Sequence, residues 1–161
     1  MTNNISHPSR PDTETITLVV VGAHLSGMPL NGELADLGGQ LLRKTKTAPV
    51  YRLFELPKTT PPKPGLLRVG ETGGTAIDVE LWGLSPAAFG TFVANIPAPL
   101  GIGTLFLEDG TEAKGFLCEE LATRDAEDVS SFGGWRAWMQ IRSNKLSSGQ
   151  SPLDDLASAP Q

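Results

Sequence analysis

Cysteine is almost absent from this chain. Cys118 is the one cysteine in 161 residues, so no internal disulfide can form, and a reducing, cytoplasmic setting is expected. Histidine is scarce too, with only His7 and His24. One cysteine and two histidines leave no ligand set for a zinc centre, so no metal is expected. No apolar run is long enough to span a bilayer, and no charged-start, apolar-middle leader is visible. Neither a membrane nor a secretory route is expected. Lysine and arginine number 13 against 18 acidic residues, for a net charge of −5. Without grouped cations to neutralise phosphates, nucleic acid is excluded as a partner. No Gly-Lys-Ser/Thr phosphate loop occurs, and Gly101–Gly103 does not open a helical pattern. Nucleotide cofactors are therefore not expected either.

What is there is glycine and proline, 18 and 13 of them, which call for many turns and short elements rather than a helical bundle. The length suits a single domain with a real core. Residues 1–14 and 144–161 are polar and aperiodic and read as disordered tails around a folded region at 15–143. A short helix within the second tail, at 153–156, is a minor option. Ile16–Val21 reads as a buried strand, 34–39 as a turn-rich connection, 48–56 as a strand, 59–65 as a proline-rich loop and 66–69 as a short strand. Residues 76–84 alternate, with Ile77, Val79 and Leu81 on one face and Asp78, Glu80 and Trp82 on the other. Ser85-Pro86 then opens a helix as N-cap and first residue, with Phe89, Phe92, Val93 and Ile96 at helical spacing. Residues 103–107 and 113–118 form a hairpin around Asp109-Gly110. A final helix is predicted over 135–142, docked by Trp135, Trp138 and Met139. The fold class is α+β, with a mixed, highly curved sheet or small barrel.

The segment Val19–Asn31 is the first place to look for chemistry. A strand stops at Gly22, and a loop of small residues carries His24, whose side chain titrates near neutral pH. Gly22, Ser26 and Gly27 permit tight turns, and successive N–H groups in such a loop attract anions. Asn31 adds an amide. The same pattern also suits a tight turn without a ligand. Arg43–Thr47 is the local basic group. Lys44 reads as a solvated sheet edge, while Lys46, Tyr51 and Arg52 stay open as partners of a substrate carboxylate. Asp78 and Glu80 share a strand face, for which a solvent-facing edge is the preferred reading. Phe132–Trp135 reads as core. Cys118 has only His24 to activate it.

Five segments carry a resemblance: Gly-Ala-His-Leu-Ser-Gly-Met-Pro-Leu-Asn (Gly22–Asn31), Lys44–Phe54, Ile96–Gly103, Gly115–Glu119 and Phe132–Arg136. In this order they resemble the C-terminal domain of allophanate hydrolase, over about 17–139. The resemblance implies a γ-glutamyl cyclotransferase-like fold, a small barrel-like mixed sheet with flanking helices. It implies that His24 is the acid–base residue. Gly22, Ala23, Leu25, Ser26 and Asn31 would cradle a small anionic substrate, and Lys46, Tyr51 or Arg52 would pair with its charge. The reaction implied is loss of carbon dioxide from N-carboxycarbamate in urea breakdown. Cyclotransferases of this fold use a glutamate that falls here near Ile96, so cyclotransferase activity is not expected. No amidase half is present, so the chain is expected to be a stand-alone copy. The alternative is a non-catalytic module, either a homodimer or an assembly partner of a separate amidase.

Overall fold

A computed structural model describes residues 14–148. Eight strands form: β1 (Ile16–Val20), β2 (Gln40–Lys46), β3 (Tyr51–Glu55), β4 (Pro64–Arg68), β5 (Asp78–Leu84), β6 (Leu100–Phe106), β7 (Glu112–Cys118) and β8 (Glu127–Asp128). Three helices accompany them: α1 (Asn31–Asp36), α2 (Pro86–Ala94) and α3 (Trp135–Ser148). A five-stranded sheet has the order β2-β5-β1-β7-β6, and a smaller antiparallel sheet has the order β4-β3-β8.

The β-branched run of β1 takes the centre of the larger sheet, antiparallel to β5 and parallel to β7. Leu18, Val19 and Val20 are fully buried there, as a strand covered on both faces requires. The mixed α+β class expected from the sequence is what forms. The sheet curls but does not close, so it is not a complete barrel. Its edges are joined by an isolated bridge between Thr47 and Leu107. Tyr51 on β3 ties the sheets together: its phenol oxygen accepts the Phe106 N–H at 2.8 Å.

Ser85 caps α2 by accepting the Ala88 N–H at 3.1 Å, with Pro86 as the first helical residue. The β6–β7 hairpin turns at Asp109-Gly110, where Gly110 has φ +86° and Asp109 accepts the Thr111 N–H and O–H.

Lys44 lies on an exposed edge strand, β2, as expected. Three expectations need correction. Residues expected to form a turn-rich connection at 34–39 begin inside α1, a six-residue helix. Glu80 does not face solvent. It is 1% exposed, and Trp82 beside it is also buried, because β5 is covered on both faces. Finally, α3 continues to Ser148, past the start expected for the second tail. Residues 1–13 and 149–161, including the helix considered at 153–156, lie outside the described residues.

Candidate active site

The chain leaves β1 at the end where Val20 pairs with Glu80 of β5. The loop that follows is folded by its own backbone. Leu25 N–H donates to the Gly22 carbonyl at 3.0 Å, Leu30 N–H to Ala23 at 2.9 Å, and Met28 N–H to Leu25 at 2.9 Å. Asn31 Nδ2 donates to the His24 carbonyl at 2.8 Å. Gly27, at φ +79°, makes the turn that other residues resist. Gly22 is needed for another reason: a Cβ there would stand 2.3 Å from Pro64 Cδ.

The anion that this loop attracts is the protein's own. Ser26 N–H donates to Glu80 Oε1 at 2.6 Å, and Ser26 Oγ donates to Glu80 Oε2 at 2.7 Å. Arg136 on α3 donates to the Ser26 carbonyl at 2.6 Å and stands 3.5 Å from Glu80 Oε2. Burial raises the Glu80 pKa, but the two Ser26 donors and the Arg136 charge outweigh it and hold the carboxyl below its ordinary range. An ionised, buried carboxylate thus anchors the loop two residues beyond His24.

This anchoring delivers the His24 ring to a cavity of about 480 Å³. The ring stacks on Phe116 at 5.3 Å and meets the edge of Phe92 at 5.0 Å. Its side chain is 13% exposed, and Nε2 lies 2.9 Å from Glu33 Oε2 on α1. Among the described residues Nδ1 has no hydrogen-bond partner. Burial lowers the His24 pKa most. The Glu33 hydrogen bond and charge push it back up, and the positive charge of Lys63 lowers it further. The net result is an imidazole below its usual 6.5. Val21, Gly22 and Ala23 form part of the cavity wall, and Leu30, Leu37, Ile96 and Leu100 form apolar parts of it. Lys63 supplies the cation, and Thr91 and Asn95 bring a hydroxyl and an amide from the end of α2.

Comparison with known proteins adds the lineage of this site. The allophanate hydrolase C-terminal domain profile matches residues 16–140. The chain belongs to the allophanate hydrolase C-terminal domain family.

Urea amidolyase of Saccharomyces cerevisiae is 39% identical over 150 residues, which cover 91% of this chain and 8% of the yeast protein. The chain therefore spans under a tenth of the curated relatives it matches. Allophanate hydrolase of Kluyveromyces lactis superposes with a TM-score of 0.77 at 39% identity, over 83% of this chain and 22% of that one. A uropathogenic E. coli-specific protein superposes at 0.72 with 35% identity, over 79% of this chain and 97% of its own. A γ-glutamyl cyclotransferase, at 0.50 and 10% identity over 71% of this chain and 70% of that one, shares the fold alone.

The structure of this allophanate hydrolase C-terminal domain separates the residues singled out from its sequence. Gly22, Ala23 and His24 line the cavity. Leu25 is buried, and Ser26 faces Glu80. Asn31 braces the loop from within. Lys46, Tyr51 and Arg52 do not line it. Lys46 stands 3.7 Å from Asp78, Tyr51 is buried against Phe106, and Arg52 is paired with Asp128. Ile96 presents an apolar side to the cavity. Burial pushes the Cys118 thiol up to about 11, which leaves it protonated at neutral pH and a poor nucleophile.

Sequence reasoning missed Glu33 and Lys63. Glu33 lies nine residues from His24, a spacing that matches no regular element. Lys63 sits among prolines in a segment read only as a loop. Arg136 was visible in the Phe132–Arg136 motif, but nothing in that motif tied it to Ser26.

Proposed function

We propose that this domain promotes loss of carbon dioxide from a small N-carboxylated compound, with His24 moving the proton, as a step of urea breakdown in the cytoplasm. The observation that carries the reading is His24 held by Glu33 at the wall of a cavity that Lys63 also lines. Membership of the allophanate hydrolase C-terminal domain family, and the likeness to proteins named urea amidolyase and allophanate hydrolase, support the metabolic setting.

The chemistry follows from the groups present. Lys63 attracts the substrate carboxylate. The bond between nitrogen and the departing carboxyl carbon breaks, and its electron pair stays on nitrogen. The nitrogen takes a proton while carbon dioxide leaves. Glu33 occupies Nε2, so Nδ1 is the ring atom available for the transfer. A buried imidazolium with a lowered pKa is a stronger proton donor than one in water, and an anionic substrate beside it restores its protonated fraction.

The test is to mix the purified chain with freshly generated N-carboxycarbamate and follow carbon dioxide release. A positioned acid–base group contributes about 10²–10⁴-fold, so His24→Ala should lose about that factor. A variant that matches wild type, or a wild type that matches the uncatalysed rate, overturns the reading.

A further inference from the structure

We infer that Arg136 is a positioning residue for His24: from α3, outside the cavity, its guanidinium fixes the backbone of the loop that carries the imidazole. The inference rests on the reading above that His24 moves the proton.

The connections of the loop single Arg136 out. Residues 22–30 hydrogen-bond among themselves and to α1, through Asn31 and Glu33. Among the described residues, Ser26 is the one point where hydrogen bonds tie this loop to other elements. All three of its polar groups are used. Glu80 on β5 accepts the N–H and the hydroxyl, and Arg136 Nη2 on α3 donates to the carbonyl at 2.6 Å. The same Nη2 stands 3.3 Å from Ser26 Oγ and 3.5 Å from Glu80 Oε2, so one guanidinium touches both sides of the Ser26–Glu80 contact. The next residue, Gly27, is exposed and turns at φ +79°, and a glycine resists reorientation less than any other residue. With Arg136 removed, the peptide unit leading into Gly27 loses its partner, and buried Glu80 loses its neighbouring positive charge.

Docking of α3 does not depend on this contact. Trp135 and Trp138, each 1% exposed, seat the helix in the core, and Arg142 pairs with Glu55 at 3.0 Å further along it. The Arg136 side chain is 45% exposed and does not line the His24 cavity. Its removal therefore leaves the helix and the substrate wall in place while the loop is freed. Proton transfer is sensitive to such a change, because a misplacement of about 1 Å can cost about 100-fold in rate.

The test compares wild type with Arg136→Ala, Arg136→Lys and Arg142→Ala in the full chain. NMR follows the Ser26 N–H and the His24 ring, and carbon dioxide release from N-carboxycarbamate gives kcat and KM. Arg136→Ala should shift both sets of signals and lower kcat about 10- to 100-fold, with KM unchanged. Arg136→Lys keeps the charge but not the forked donors, so its kcat should fall between the two. Arg142→Ala removes another contact of α3 but none to Ser26, and should leave kcat and the His24 signals those of wild type. Wild-type His24 signals in Arg136→Ala overturn the inference. So does an effect that Arg142→Ala reproduces, or a loss that falls on KM rather than kcat. If Arg136→Ala fails to fold, Arg136→Lys serves the same comparison. The reading of the preceding section fails separately, when His24→Ala turns over like wild type. His24-dependent turnover that Arg136→Ala leaves unchanged sinks only the present inference.

Discussion

Glu33 and Lys63 push His24 in opposite directions, and each can be removed singly. Glu33 raises the imidazole pKa through a hydrogen bond and its charge, whereas Lys63 lowers it. Glu33→Gln should therefore move the His24 titration further below 6.5, and Lys63→Ala should move it up, both read by NMR of the ring. Glu80 gives a second residue-scale expectation. Its folded pKa lies below the ordinary 4.5, so the carboxylate stabilises the fold fully above that value. The contribution is lost as pH falls through the folded pKa. Hydrogen bonds to a charged group are worth about 1.5–3 kcal/mol. Glu80→Gln should cost about that much in urea denaturation at pH 7, with the gap to wild type closing in acid. None of these three roles was readable from residue type. Glu80 looked like a solvent-facing carboxylate because its strand alternates, and alternation does not reveal whether the polar face is covered by a loop and a helix.

At the scale of elements, local signals worked where they act locally. The Ser85-Pro86 start of α2 and the Asp109-Gly110 turn form as expected, since each depends on atoms within a few residues. α1 was not legible because six residues are too few to display a helical period. β2 was not legible because it is largely exposed at a sheet edge and so carries no apolar alternation. The loop between β1 and α1 makes its own prediction. At Gly22 an added Cβ meets the Pro64 ring at 2.3–2.4 Å, and the ring has no flexible end to swing away. Gly22→Ala should lower stability by about 1–3 kcal/mol and displace His24, which would appear as a lower Tm together with lost turnover.

Across the whole molecule, Tyr51 is one of the links between the two sheets. Its phenol oxygen is the acceptor for Phe106 N–H. Tyr51→Phe leaves that part-buried donor unpaired, at about 1–3 kcal/mol. Because Tyr51 does not line the cavity, the KM of the folded variant should stay that of wild type while its unfolding midpoint drops. A rise in KM with unchanged stability would return Tyr51 to the substrate.

The sequence by itself determined the α+β class, the buried central strand, the capped helix after β5, the family and His24 as the residue to watch. These follow from periodicity, turn chemistry and a motif, which are properties of neighbouring residues. Only the tertiary structure decided what surrounds His24. Glu33, Lys63, Phe92 and Phe116 come from four separate stretches of chain, and the Glu80–Ser26–Arg136 anchor ties the His24 loop to two more. Distances among such residues are set by strand order and by the packing of a curled sheet, and spacing along the chain carries no record of them.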